Sequence, residues 1–415
     1  MLILLTLVSV PALASVGLAI LFVALGCAVT IGAALSLYLL LLAVASLRRI
    51  SKPVMRDTYA TRFALVIPAH EEELVIGTLL ESVNNLDYPR DLYEVHVVAD
   101  HCLDHTAATA RGLGATVHER NDPAPRGKSW SLNQLVHELL ASRTDKAVDA
   151  FIVVDADSTL STNFLGAMDA RLRSGSQVIQ GLVWVDDPGQ SSTGQLRALA
   201  YEFISRVRPL GRSTLGLSAG LRGNGMCIAR DIAVRFPWNP NSLTEDYELH
   251  ARLLIAGTEV SFAPEAGVRT QLPQSSASMQ TQSQRWERGR LETMRSLVPA
   301  LLLHGLRRRS WTSIDGALEL LIPPFSILMG VTLLLFGLSI LSGSGLLIAV
   351  AAVGLVAQLL YTWRGLVLVS ERDPRIYRAL FFAPVFIVKR LWQYVAVLSR
   401  RSRVQWARTV RTPPS

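Results

Sequence analysis

Charge is scarce in this chain, and so is cysteine. Asp, Glu, Lys and Arg make up 18% of the 415 residues, against about 25% in soluble domains. Not one charged residue occurs between Met1 and Leu47. That shortfall argues against an ordinary soluble enzyme and points to a membrane portion. The three cysteines, Cys27, Cys102 and Cys227, are too few and too far apart for a disulfide framework or a zinc site. They fit a reducing compartment. Internal repeats and low-complexity tracts are missing as well. His70-Glu71-Glu72-Glu73 has no second His at the spacing of a zinc-binding helix. Gly127-Lys128-Ser129 lacks the glycine a phosphate-binding loop needs five positions earlier, where Asp122 stands.

What is abundant is apolar. Half of the residues are hydrophobic, and the formal charge is +8. Much of the positive charge flanks apolar runs: Arg48, Arg49 and Lys52; Arg307, Arg308 and Arg309; Arg400, Arg401 and Arg403. Basic residues beside spans mark the cytosolic side and meet anionic headgroups. No nucleic-acid recognition module accompanies them, so nucleic acid is not an expected partner.

Five regions follow. Residues 1–48 form an N-terminal transmembrane region of one or two helices, since a span needs about 20 apolar residues. A cleaved signal peptide is disfavoured, because no basic segment precedes the run and the run is too long. Residues 60–300 change to a more polar composition, and the basic residues before them place this domain on the cytosolic side. Residues 315–365 hold C-terminal transmembrane helices, one from Ala317 to Leu341 and another from Gly345 to Trp363. Residues 378–400 are apolar but interrupted by Lys389 and Arg390. They suit a helix lying in the interface, with a third C-terminal span as the alternative. Residues 401–415 are a basic cytosolic tail.

Within residues 60–300, short apolar runs alternate with helical periodicity. FALVIP (Phe63–Pro68), VHVVA (Val95–Ala99) and FIVV (Phe151–Val154) are buried strands, with another around Thr116 and Val117. Val75, Leu79, Val83 and Leu86 recur at helical spacing, as do Leu132, Leu135, Val136 and Leu139. The pattern predicts an α/β domain with a largely parallel sheet. Ligands of such sheets lie beyond the carboxyl ends of the strands, so the polar residues there matter most.

Asp155-Ala156-Asp157 directly follows FIVV. Two carboxylates two residues apart can share a divalent cation whose remaining ligands come from a diphosphate; a solvated turn is the plainer alternative. Asp100 ends the second strand, as a nucleoside ligand or a helix cap. Lys128 can meet a diphosphate or stand exposed. Glu245 and Asp246 open a helix that Thr244 or Ser242 can cap, and one acid can serve as general base for a hydroxyl. Gln282-Ser-Gln-Arg285-Trp286 offers an arginine for phosphate and an indole for a sugar ring, or a juxtamembrane helix.

In this order the motifs resemble glycosyltransferase family 2, of the cellulose synthase and hyaluronan synthase type, from about Phe63 to Leu297. PAHEEE resembles the family's opening loop, although Glu71 stands where the family usually has Asn. VVADHCLDHT, RGKSWSLN, DADS, RGNG (Arg222–Gly225), TED (Thr244–Asp246) and QSQRW complete the set. The resemblance implies a cytosolic GT-A (Rossmann-like) domain plus transmembrane α-helices. It implies an inverting transfer from a nucleotide-diphosphate sugar, UDP-linked by default, to a growing polysaccharide. Asp246 would be the catalytic base. Asp100, Lys128, Asp155 and Arg285 would bind the donor, and Glu245, Gln282 and Trp286 the acceptor. Asp155 and Asp157 would hold Mg²⁺ or Mn²⁺. Expected partners are the donor, a polysaccharide or lipid acceptor, membrane lipids, and an accessory protein or homo-oligomer if a polymer channel must be completed. The expected location is the plasma (inner) membrane. Two rivals stand: transfer of one sugar to a membrane lipid, and a non-catalytic scaffold for envelope assembly.

Overall fold

A computed structural model describes residues 10–399, apart from 49, 52, 54–57, 122–126, 142–146, 186–187, 190, 273–275 and 371–372. The basic tail 401–415 and the flanking Arg49 and Lys52 lie outside the described residues. An eight-stranded sheet occupies the middle of the chain: β1 (Phe63–Ala69), β2 (Tyr93–Asp100), β3 (Thr116–Arg120), β4 (Ala150–Val153), β5 (Ser158–Leu160), β6 (Val178–Val185), β7 (Met226–Ala229) and β8 (Val260–Thr270). Their spatial order is β3-β2-β1-β4-β7-β6-β8-β5.

β1 is buried along nearly its whole length, as a strand covered on both faces must be. On one face Phe63, Leu65 and Ile67 pack with Ile76, Leu79 and Val83 of the helix Ile76–Asn84. On the other, Ala64 and Val66 pack with Leu132, Leu135 and Val136 of the helix Lys128–Ala141. β1 pairs in parallel with β2 and β4, and β2 with β3. The second half of the sheet is mixed: β7 runs antiparallel to β4 and β6, and β5 antiparallel to β8. The expected parallel course therefore holds among β1–β4 and between β6 and β8, and fails at β7 and β5. Before β7 the chain passes Gly220, Gly223 and Gly225, all at positive φ, and this glycine-rich reversal sends β7 back against its neighbours.

Helices gather beside the sheet. The N-terminal helix Val10–Ala45 is one continuous element among the described residues. Val16–Ala45, Gly345–Val369 and Ile376–Ala396 are long and apolar enough to cross a membrane. The apolar run Ala317–Leu341 is not one straight element. The helices Trp311–Leu321 and Phe325–Leu341 meet at 75°. Pro323 and Pro324 separate them, because proline lacks the N–H that would continue the ladder and bars the preceding residue from helix. Arg290 donates to the carbonyls of Leu320 and Ile322, satisfying acceptors that the break exposes. Gln358 donates to Ser36 and Thr332 at 2.8 Å each, joining three apolar helices.

The two halves lock through small residues and buried charge. A Cβ on Gly211 would fall 2.3 Å from the Leu42 carbonyl oxygen of the N-terminal helix. Gly211→Ala is therefore expected to lower stability by about 1–3 kcal/mol, read as a drop in the midpoint of thermal unfolding. Arg212 pairs with Asp315 at 2.8 Å and with Glu319 at 2.7 Å, and Arg222 meets Glu319 at 2.6 Å. Tyr38 of the N-terminal helix donates to Asp315 and so joins the same cluster.

Candidate active site

The carboxyl ends of β1, β2 and β4 open into a cavity of about 600 Å³. All nine residues singled out by sequence line it: Asp100, Lys128, Asp155, Asp157, Glu245, Asp246, Gln282, Arg285 and Trp286. They come from strand ends and their loops and from the starts of three helices, so tertiary packing alone unites them.

Asp155, Ala156 and Asp157 all line the cavity, and Ala156, at 4% exposure, also packs in the core. Lys128 Nζ lies 2.5 Å from Asp155 Oδ1 and 3.5 Å from Glu245 Oε1, and it donates to the Gly223 carbonyl. Burial works against the charge on Lys128, but Asp155, Glu245 and Asp246 outweigh it and hold the ammonium above the usual lysine range. Asp155 thus already attracts a cation. Among the described residues no cluster of three His, Cys, Asp or Glu side chains is arranged around one point. The pair Asp155 and Asp157 suits a hard cation that takes two protein oxygens and fills its shell from phosphate and water.

Glu245 and Asp246 open the helix Glu245–Ile255. The Thr244 side chain makes no cap bond; its Oγ1 lies 3.0 Å from Thr293 Oγ1 on the helix Ser276–Arg308. Capping therefore does not account for this motif. Burial, and next the neighbouring Glu245 charge, push Asp246 up to about 7, against Lys128 and Arg222. A carboxylate of that character can take a proton near neutral pH.

The loop Arg222–Gly225 forms the floor between these groups. Gly223 has φ +75°, and a Cβ there would sit 3.4 Å from Lys128 Nζ and 3.5 Å from Asp246 Oδ2. Gln180 on β6 accepts from the Arg222 N–H at 2.8 Å and donates to the Asn224 carbonyl at 2.7 Å. Asn224 accepts from the Asp155 N–H at 3.1 Å. Gln180 and Asn224 therefore fix the loop to the turn that carries Asp155 and Asp157. Sequence reasoning does not single out Gln180, although a lone amide in the apolar run VIQGLVWV is a usable signal.

Asp100 is buried and engaged on every side. It accepts from Arg120 at 2.8 Å and from the Gly127 N–H at 3.0 Å, and lies 2.7 Å from His101 Nδ1. It does not cap the following helix; Asp104 accepts from the Thr106 N–H at 3.1 Å. Asp100 thereby holds the start of the Lys128 helix in place. Glu71 and His101, at the two strand-end loops, have φ of +54° and +53°. At the first of these the family's usual Asn would adopt the left-handed conformation more readily. Trp286 is 41% exposed, with its ring 6.5 Å from that of Tyr201.

The mixed sheet thus gathers carboxylates, a lysine and a glycine loop at the ends of its strands. A family model described as "Glycosyltransferase like family 2" matches residues 60–289, more than half of the chain, and the chain belongs to that family. The mannosyltransferase PcManGT from Pyrobaculum calidifontis, solved with GDP-Man and Mn²⁺, superposes with a TM-score of 0.57 at 16% identity, over 88% of this chain and 98% of that one. The likeness establishes the GT-A fold. A beta-monoglucosyldiacylglycerol synthase from Synechocystis is 27% identical over 243 residues, 54% of this chain and 47% of its own. The probable glycosyltransferase YdaM from Bacillus subtilis is 27% identical over 243 residues, 55% of each chain. The chain spans about half the length of these curated relatives.

Proposed function

We propose that this chain is a metal-dependent, inverting glycosyltransferase that moves one sugar from a nucleotide-diphosphate sugar, UDP-linked by preference, to a membrane lipid. The observation that carries the acceptor is the reach of the cavity. The space that contains Asp246 is also lined by Pro323, Pro324 and Phe325 at the bent helix pair and by Phe386. A polar end for a sugar and an apolar end among membrane-type helices suit an amphiphile. The diacylglycerol acceptor in the name of the Synechocystis relative agrees with this reading. The catalytic domain faces the cytosol at the inner membrane, as its basic flanks suggest.

In this reaction Asp246 takes the proton of the acceptor hydroxyl. The freed oxygen forms a bond to the anomeric carbon while the bond to the diphosphate breaks on the opposite face, inverting the centre. Lys128 and Arg285 face the charge that develops on the leaving oxygen, and they are in place before it forms. Asp155 and Asp157 would hold Mg²⁺ or Mn²⁺, which supplies charge neutralisation of the diphosphate when bound. Asp100 orients the Lys128 loop at the nucleoside end, while Glu245 and Gln282 sit on the acceptor side. Asp157→Ala is expected to weaken Mn²⁺-dependent UDP binding at least about tenfold, the loss of one charge-assisted contact. Calorimetry with and without Mn²⁺ reads this; an unchanged metal dependence would remove Asp157 from the metal site.

The second reading, growth of a polysaccharide, draws on the half-exposed Trp286 as a platform for a sugar ring. The deciding experiment uses the full chain in lipid nanodiscs with Mn²⁺, diacylglycerol and radiolabelled UDP- and GDP-sugars. A product with one sugar that partitions into organic solvent supports lipid transfer. A long water-soluble polymer overturns it in favour of the second reading. No turnover with any donor or acceptor returns the scaffold.

A further inference from the structure

Arg197 stands on the cavity wall with part of its guanidinium unspent. Its Nε is buried without a hydrogen-bond partner among the described residues. Among the described residues its Nη1 makes only long contacts, 3.4 Å to Ser283 Oγ and 3.5 Å to the Met279 carbonyl. Arg390, from the helix Ala383–Ser399, lines the same cavity and is paired with the buried Glu287. Burial, and then the like charge of Arg390, bring Arg197 down to about 10, with Glu287 opposing. Glu287 thus pairs with Arg390 and reaches Arg197 only as a more distant charge. The other acids nearby are engaged elsewhere: Glu202 faces Arg206 at 3.7 Å, and Asp373 meets Arg375 at 2.8 Å and Gln195 at 2.6 Å. A recessed cation with an open donor edge calls for an anion.

The position of the pair says what kind of anion. Arg197, Tyr201, Ile204 and Arg208 follow one another along one cavity-lining wall of the continuous helical stretch that starts at Ser192 and ends at Thr214. That stretch contains a π turn at Phe203–Val207, a distortion frequent at functional sites. Phe386 lies one turn before Arg390 on the same helix, and it lines the apolar part of the cavity with Phe325. The groups assigned to the donor diphosphate, Lys128, Asp155 and Asp157, belong to different elements. The arginine pair thus marks the border between the polar space and the membrane-type helices.

We infer that Arg197 and Arg390 form a phosphate-binding subsite for the headgroup of an anionic lipid acceptor. The inference rests on the lipid-acceptor reading and narrows it. The acceptor carries both a phosphate, held by the arginine forks, and a free hydroxyl that reaches Asp246. Its chains lie against Phe325 and Phe386.

The test uses the full chain in nanodiscs of neutral lipid, with phosphatidylglycerol as the probe. Retention of the lipid is measured by native mass spectrometry, and transfer by kinetics against diacylglycerol. Wild type should retain phosphatidylglycerol and prefer it as acceptor. Arg197→Gln should weaken retention and raise the acceptor KM by about 10- to 100-fold, the range for a hydrogen bond to a charged group. The donor KM should stay unchanged, and Arg197→Lys should recover part of the loss. Equal retention by wild type and Arg197→Gln overturns the inference, as does a rise in donor KM in place of acceptor KM. Glycerol phosphate that binds as tightly as the lipid overturns the lipid source in favour of a soluble phosphate. Transfer to diacylglycerol alone, with no phosphatidylglycerol bound, removes this inference and keeps the lipid reading. Absence of all transfer removes the lipid reading, while the retention measurement still decides the subsite.

Discussion

Asp246→Asn is expected to lower kcat by about 10²–10⁴-fold, the usual worth of a positioned general base, while donor binding stays nearly intact. The amide keeps the shape of the carboxylate but cannot accept a proton. Asp246 lies beside Gly223 and the Lys128 ammonium, and that ammonium itself pairs with Asp155 at 2.5 Å. A change confined to Asp246 therefore separates proton removal from donor affinity. The same residue sets a pH dependence. Burial and the Glu245 charge raise its ionisation to about 7, and only the ionised form can act. Activity should thus fall as pH drops through neutrality and level off above it, and the Asn variant should lose that limb. Initial rates across pH, with UDP affinity from calorimetry, check both statements. Full activity of the variant would remove Asp246 as the base, and an unchanged acid limb would assign the limb to another group.

Glu319→Ala carries the largest expected stability effect. Glu319 is 5% exposed and receives Arg212 at 2.7 Å and Arg222 at 2.6 Å. Removing one partner of a buried ion cluster leaves its cations without compensation, which costs about 3–5 kcal/mol. The effect should not stop at stability. Arg222 precedes Gly223, whose carbonyl accepts from Lys128, and its backbone N–H is held by Gln180. Loss of Glu319 should loosen that loop and lower turnover in whatever protein remains folded. Glu319→Gln, which keeps the shape and one acceptor, should lie between the two. Thermal unfolding in nanodiscs together with kcat of the folded fraction reads the result. A midpoint unchanged in both variants would dismiss the cluster as the link between the bent helix and the active site.

Several parts of this architecture are legible in the amino-acid sequence. The buried strands β1, β2 and β4 stand out because each is a short β-branched run that meets polar residues at its end. Asp100 and Asp155 mark two of those ends, and the sheet's geometry places such ends around a common ligand space. The motif residues on helices are visible because charge interrupts apolar periodicity there. Other elements carry weaker signals. β7 is only four residues long, too short to tell from a loop, and its antiparallel course comes from the glycine reversal that precedes it. Thr244 fits a cap by spacing, yet its hydroxyl meets Thr293, nearly fifty positions away along the chain.

Local composition and periodicity by themselves determined that this chain combines apolar, membrane-length helices with an α/β catalytic domain, and which polar residues end its central strands. These are short-range properties, set by which side chains must leave water and by what the backbone tolerates next to them. The tertiary structure alone decided that the apolar run after Ala317 bends at its proline pair, that Glu319 serves two arginines from the catalytic domain, and that Arg197 lines the same cavity as Arg390, whose own partner is Glu287. An arginine on an amphipathic stretch looks the same in sequence whether it faces water, a headgroup or a cavity. Arg390 reaches the cavity of Arg197 from nearly two hundred residues away along the chain, and only the packing of whole elements sets that encounter.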